Sequence, residues 1–291
     1  MKQSREYVIT SDTTCDLPQS YCQENNIRLL SVDFTLEGTT YSGGDSRITP
    51  EQFYAKMRSG AMPQTQQVNP QQAETVFEEL ILQGYDILHI GFSSALSGSF
   101  NSAAIVANEL KERYPQAKIV VIDSLCASLG EGLLIHKAIE MKKQGVPLDA
   151  ASHWIETNKL KVCHYFTVDD LNHLHRGGRV SKAAAVVGTV LNIKPVLHVS
   201  DEGKLIPVEK VRGRKQSLTR LVDHMEKRAS GIKNDMIFIS HGDCLEDAEF
   251  VAAQAKERFG ISQVLYNFVG PSVGSHSGPG TVALFFFGHS R

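Results

Sequence analysis

A chain of 291 residues, 42% of them hydrophobic, exceeds the usual size of a single core, so two domains are the default expectation. Its 30 Lys/Arg and 32 Asp/Glu are spread along the chain, which argues against a global nucleic-acid or membrane-surface role. The five cysteines form no C-x-x-C or Cys/His cluster and read as reduced thiols; without an apolar leader or a run approaching ~20 apolar residues, no stable membrane insertion is expected and a cytoplasmic location is.

The first half alternates β-like runs with amphipathic helices, the pattern of a parallel sheet covered on both faces. Tyr7 to Thr10 reads as the first strand, a short helix starts at Asp16-Leu17-Pro18, and Ile27 to Phe34 reads as the second strand. Thr49-Pro50-Glu51-Gln52 and Asn69-Pro70-Gln71-Gln72 carry capping-box spacing with proline at the first helical position, so helices are expected from about 50 and 70. Strands at Ile87 to Gly91 and Ile119 to Ile122 bracket a helix over 99–113, a βαβ unit. Further helices follow at about 128–144 and 148–158. The pattern then changes, placing a domain boundary near 158.

In the second half, Pro195 to Ser200 and Leu205 to Val211 flank Asp201-Glu202-Gly203-Lys204, a hairpin signal. Strands at Met236 to Ser240, Val264 to Phe268 and Thr281 to Phe287 alternate with helices at about 215–228 and 245–258. The fold class is therefore α/β: a Rossmann-like parallel-sheet domain over 1–158, then a second α/β domain over 159–291 with a largely antiparallel sheet and helices on one face.

Four segments could carry chemistry. Gly91 to Ser99 is a hydroxyl-rich loop between a strand and a helix start, where free N–H groups favour an anion; a serine that merely caps the helix fits equally well. Met62 to Gln67, between two capped helices, reads as a connector. Gly270 to Gly280 holds four glycines and two prolines around His276, so backbone passes close to something there. Between 171 and 220, ten Lys/Arg stand against three Asp/Glu, which implies an acidic or phosphate-bearing partner or a solvated basic face. Aromatic residues do not interleave these cations, so no nucleic-acid partner is expected.

Enzyme signatures are weak. Gly91-Phe92-Ser93-Ser94-Ala95 narrowly misses a nucleophile elbow, which makes a serine hydrolase of lipid esters using Ser93, His276 and Asp243 the alternative reading. However, Ser97-Gly98 puts the helix start several residues after Ser93. No H-E-x-x-H, Walker loop or G-x-G-x-x-G occurs, so neither a metal nor a cofactor is expected.

Taken in order, ITSDTTCDLP (9–18), LSGSFNSA (96–103), VIDSLCASLGEG (121–132), LHRGGRVS (174–181), SHGD (240–243) and GSHSGPG (274–280) resemble the DegV family of bacterial fatty acid-binding proteins over nearly the whole chain. The resemblance implies a long-chain fatty acid held between two domains, and a non-catalytic role as the lipid-carrying component of a fatty acid kinase. A separate ATP-binding kinase subunit would make the acyl phosphate. It maps the carboxylate ligands onto Thr65 and Ser97 with His276 close by, beside Ser94 and Gln66. Arg176, Arg179, Arg212 and Arg214 become the partner- or phosphate-facing group. The family's T-S-Q-P-S reads Thr65-Gln66-Gln67-Val68-Asn69 here, and the small apolar run Ala183 to Val187 is expected to serve as a lid.

Overall fold

A computed structural model describes residues 5–181 and 192–291. The expected lid, Ala183 to Val187, lies outside the described residues. β1 (Tyr7–Asp12) is buried along its whole length and leads through a 3-10 turn (Thr13–Cys15) to α1 (Gln19–Glu24) and β2 (Arg28–Leu30).

Here the chain departs from the expected single strand over 27–34. Val32 N–H donates to Thr13 Oγ1 (2.9 Å) and Ser31 N–H to Gln72 Oε1 (2.8 Å), so the backbone leaves the first sheet after Leu30. It re-forms as β3 (Phe34–Leu36), which turns at Glu37-Gly38, both at positive φ, into β4 (Thr39–Tyr41). α2 (Pro50–Arg58) starts with the full capping box at Thr49 and Gln52. β5 (Gln64–Thr65) then completes a three-stranded antiparallel sheet by pairing with β3, so part of the expected connector is a strand.

α3 (Pro70–Leu82) is capped by Asn69 through Gln71 N–H, without the reciprocal half of a box, because the Gln72 amide is engaged by Ser31. β6 (Asp86–Gly91), α4 (Ser99–Arg113) and β7 (Ile119–Asp123) form the expected βαβ unit. The resulting parallel sheet has the order β2-β1-β6-β7. α5 (Leu129–Lys143) and α6 (Leu148–Asn158) follow.

The second sheet draws all its strands from later residues. β8 (Val162–Thr167) and α7 (Leu171–Arg176) precede the hairpin of β9 (Ile193–Val199) and β10 (Leu205–Arg212). After α8 (Arg214–Arg228) come β11 (Met236–His241), α9 (Leu245–Phe259), β12 (Gln263–Phe268), α10 (Pro271–Ser277) and β13 (Val282–Phe287). The order is β10-β9-β8-β13-β11-β12, antiparallel except for the β11–β12 pair.

Helices cover both faces of this sheet, not one. α8 and α9 bury Leu221, Val222, Val251 and Ala252 against Tyr165, Ile237, Ile239 and Phe286. On the opposite face, Leu133, Leu134 and Ile135 of α5 share one apolar cluster with Ile9, Leu88 and Ile90 of the parallel sheet and Phe238, Ala283 and Phe285 of the mixed sheet. α5 is thus apolar nearly all round because a sheet lies on either side of it. The continuous apolar runs of β11 and β13 have the same cause, since both faces of those strands are buried. No described helix is long and apolar enough to cross a membrane.

Since Leu134 is fully buried in the cluster that joins the sheets, Leu134→Ala should cost about 2–5 kcal/mol. Leu82→Ala, at a side chain 70% exposed, should stay within about 0.5 kcal/mol. Denaturant midpoints measure both, and equal shifts would contradict the central placing of α5.

Candidate functional site

A cavity opens beyond the carboxyl ends of the parallel strands, where open α/β sheets take their ligands. It holds about 770 Å³ of non-atom space, mouth and adjoining solvent included. One wall consists of loops that follow the parallel strands and contributes Thr14, Phe92, Leu96, Ala127 and Ser128. The facing wall is the mixed sheet, where Ala283 stands between Ser240 and Phe166, and Phe285 lies beside His164.

Most interior hydroxyls are committed elsewhere. Ser272 Oγ donates to Val32 O (2.6 Å), and Thr281 Oγ1 reaches Ser277 O (3.1 Å) and Gly278 O (2.8 Å). His164 is held between Val162 O and the Ala127 N–H, and burial drives its pKa well below the usual histidine range. These neutral groups are satisfied and leave the passage between Phe92, Leu96, Phe166 and Phe285 largely apolar, whereas Ser277 Oγ, buried in the same lining, has no hydrogen-bond partner among the described residues.

Thr65, Gln66, Ser97, His276 and Arg179 form a polar cluster in the lining. Pairing of β5 with β3 sets Thr65 opposite Phe34, and Thr65 Oγ1 lies 2.8 Å from His276 Nε2. Ser97 Oγ accepts the Ser99 N–H (3.2 Å) and meets Ser99 Oγ at 2.9 Å, so it closes the start of α4 while lining the cavity. Ser97, just before the N-cap Gly98, thus satisfies the first N–H of α4 and also faces the cavity. Gln66 is exposed at this edge, and its backbone N–H donates to Asp33 O.

His276 belongs to α10, a helix that replaces part of the expected glycine-rich loop. A Cβ on Gly177 would fall 2.3 Å from His276 Nδ1, so the basic loop can pass over the ring only as glycine. Burial, with Arg179 nearby, pushes His276 down to about 4, leaving a neutral imidazole at pH 7. Arg179 is the one charged residue in the described lining, which includes no carboxylate, so the field at this edge favours an anion. Its guanidinium is braced on Leu96 O and Gly177 O.

Other expected residues lie apart. Ser94 is not in the lining; its N–H donates to Asp123 Oδ1. Ser93 is buried, with Oγ donating to Gly203 O (2.9 Å), whereas His276 pairs with Thr65 and Asp243 with Arg58. These contacts place no hydrolase triad. Arg214 turns inward, donating to Asp247 (2.8 Å) and to Gly280 O (2.6 Å) in the turn after His276. Arg176 is exposed and contacts His173 Nδ1 (2.9 Å); Arg212 is exposed on β10 at the edge of the mixed sheet. Among the described residues no group of three or more His, Cys, Asp or Glu could hold a metal ion. Thr14, Ser128 and Ser240 also line the cavity, each inside one of the motifs that carry the family resemblance.

The model of the family described as "Uncharacterised protein, DegV family" matches residues 6–289. The chain belongs to the DegV family. A DegV domain-containing protein of Clostridium perfringens is 45% identical over 288 residues, 99% of either chain. Among solved structures, a fatty acid-binding DegV family protein from Thermus thermophilus superposes with a TM-score of 0.87 at 28% identity, covering 97% of this chain and 99% of its own. A stearic acid-binding protein from Eubacterium ventriosum gives 0.87 at 25% identity, with 97% and 98% covered. The DegV fold of a parallel and a mixed sheet is thus shared along essentially the whole chain.

The depressed pKa of His276 has a measurable consequence. Its imidazole should titrate near 4 by NMR, and a midpoint near 6.5 would contradict the burial. Because the folded value lies below the unfolded one, the contribution of His276 to stability is complete above about pH 6.5 and falls away toward pH 4.

Proposed function

We propose that this DegV chain holds one long-chain fatty acid in the cavity, with its carboxylate at Thr65, Ser97 and His276. The carrying observation is an apolar passage whose lining ends in uncharged hydrogen-bonding groups beside a single arginine. About fifteen methylenes would supply roughly 12 kcal/mol gross before ordering costs, against about 1.5–3 kcal/mol for each head-group hydrogen bond. The tail accounts for retention, and the polar groups fix where the carboxylate sits. Fatty acid binding by the related proteins from Thermus thermophilus and Eubacterium ventriosum supports this reading.

The chain then acts as a carrier in the cytoplasm with no cofactor of its own. It presents the carboxylate to a separate ATP-binding kinase subunit; a carboxylate oxygen attacks the γ-phosphorus, ADP leaves and acyl phosphate forms. A neutral His276 suits this task, because it can donate to the carboxylate without locking it into an ion pair. Exposed Arg176 and Arg212, with Arg179 nearer the head group, form the face that meets the partner or its phosphates. Arg214 belongs to the same basic segment but supports the face from within. Neither nucleic acid nor stable membrane insertion has a part in this reading.

Mass spectrometry of the purified, denatured protein should reveal one co-purified long-chain acid; its absence after loading attempts would reject the proposal. Ser97→Ala and His276→Ala should lower coupled acyl phosphate formation at least about tenfold while lipid content changes less than about twofold. Equal loss in lipid extraction and kinase assays would defeat that division between tail and head. In a third experiment, Arg176→Ala and Arg212→Ala should weaken kinase affinity with lipid content intact, each rim charge being worth up to ~1 kcal/mol. Unchanged affinity in both variants would remove the docking face.

A further inference from the structure

Asp16, Ser128 and Ser240 form a hydrogen-bonded row that the head-group chemistry leaves unused. Asp16 is 5% exposed and follows the turn after β1. Its Oδ1 accepts the Gly270 N–H (3.0 Å), its Oδ2 accepts from Ser128 Oγ, and Ser128 Oγ lies 2.9 Å from Ser240 Oγ. Both serines line the cavity. The Gly270 end is fixed, because a backbone N–H can only donate. The hydroxyl links can reverse, since each serine has one proton and an oxygen able to accept.

With Asp16 ionised, Ser240 donates to Ser128 and Ser128 to the carboxylate, so the wall shows an oxygen without a free proton. With a proton on Oδ2, Asp16 donates to Ser128, Ser128 to Ser240, and the Ser240 hydroxyl loses its only hydrogen-bond acceptor among the described residues. Its proton then turns toward the cavity. Resting on the carrier reading, we propose that this row sets whether the cavity wall presents a hydrogen-bond donor to the acyl chain, and so how firmly a plain alkyl tail is held.

Burial pushes Asp16 up to about 8, opposed by the Ser128 and Gly270 bonds and helped by the charge of Asp12. The groups that couple to Asp16 are Asp12 on β1, Glu131 on α5 and Tyr54 on α2. Burial raises all three, so pH alone cannot assign the effect and variants must. Asp16→Asn keeps an oxygen for Gly270 while its amide donates permanently to Ser128, imitating the protonated acid. Ser240→Ala removes the hydroxyl that would turn inward.

The experiment loads full-length protein with radiolabelled palmitate and follows release to phosphatidylcholine vesicles at pH 6.5 and 9.5. Comparison within one pH cancels ionisation of the lipid. Wild type should release about tenfold faster than Ser240→Ala at pH 6.5 and at the same rate at pH 9.5. Asp16→Asn should release about tenfold faster than the Asp16→Asn/Ser240→Ala double variant at both pH values. A wild-type to Ser240→Ala ratio near one at pH 6.5, or one that does not change with pH, overturns the row while leaving the carrier intact; this comparison holds even if Asp16→Asn fails to fold. Failure of the folded wild type to take up palmitate at either pH overturns the carrier reading and the row with it.

Discussion

A passage through a protein core stays apolar only when each polar group on its wall finds a partner behind the wall. The cavity meets that constraint at Ser272, which donates to Val32 O, at Thr281, which reaches two carbonyls, and at His164, which sits between Val162 O and the Ala127 N–H; the buried Ser277 Oγ is an exception among the described residues. An unmet donor facing an alkyl chain would cost about 1–3 kcal/mol, more than one methylene of burial returns. The architecture supplies the partners, because loops from the parallel sheet and strands of the mixed sheet converge where α5 begins.

The sequence was most legible where a local rule acts alone. Caps at Thr49 and Asn69 place two helices, and the Gly203 turn places the hairpin, because neither depends on distant residues. Legibility failed where a remote partner decides. The run 27–34 breaks because Thr13 and Gln72 capture its backbone. β8 and α7 escaped notice because Val162 to Arg176 contains no glycine or proline to mark their ends. Glycines and prolines hid α10 in the opposite way, although Pro271 occupies a first-turn position that suits proline. In the candidate site, Thr65, Ser97 and His276 all lie in recognisable segments, but the pairing of Thr65 with His276 depends on β5 and α10, which no strong local signal marks.

Charge in the basic segment also resolves only in three dimensions. Acids outside the segment take up part of the surplus: Asp169 pairs with Lys194, Asp247 with Arg214, and Asp223 with Arg220. Among the named arginines the segment therefore divides into inward supports, such as Arg214 on Gly280 O, and outward groups, such as Arg212. A count of basic residues measures neither class separately.

Gly177 passes so close to the imidazole of His276 that a Cβ there would meet Nδ1, and it adjoins Arg176 in the chain. On the carrier reading proposed above, a visitor gripping that arginine would press on the same peptide that backs the ring, which would link occupancy of the cargo space to affinity for the visitor. Linkage is reciprocal in equilibrium: whatever full cargo adds to the visitor's affinity, the visitor adds to the cargo's.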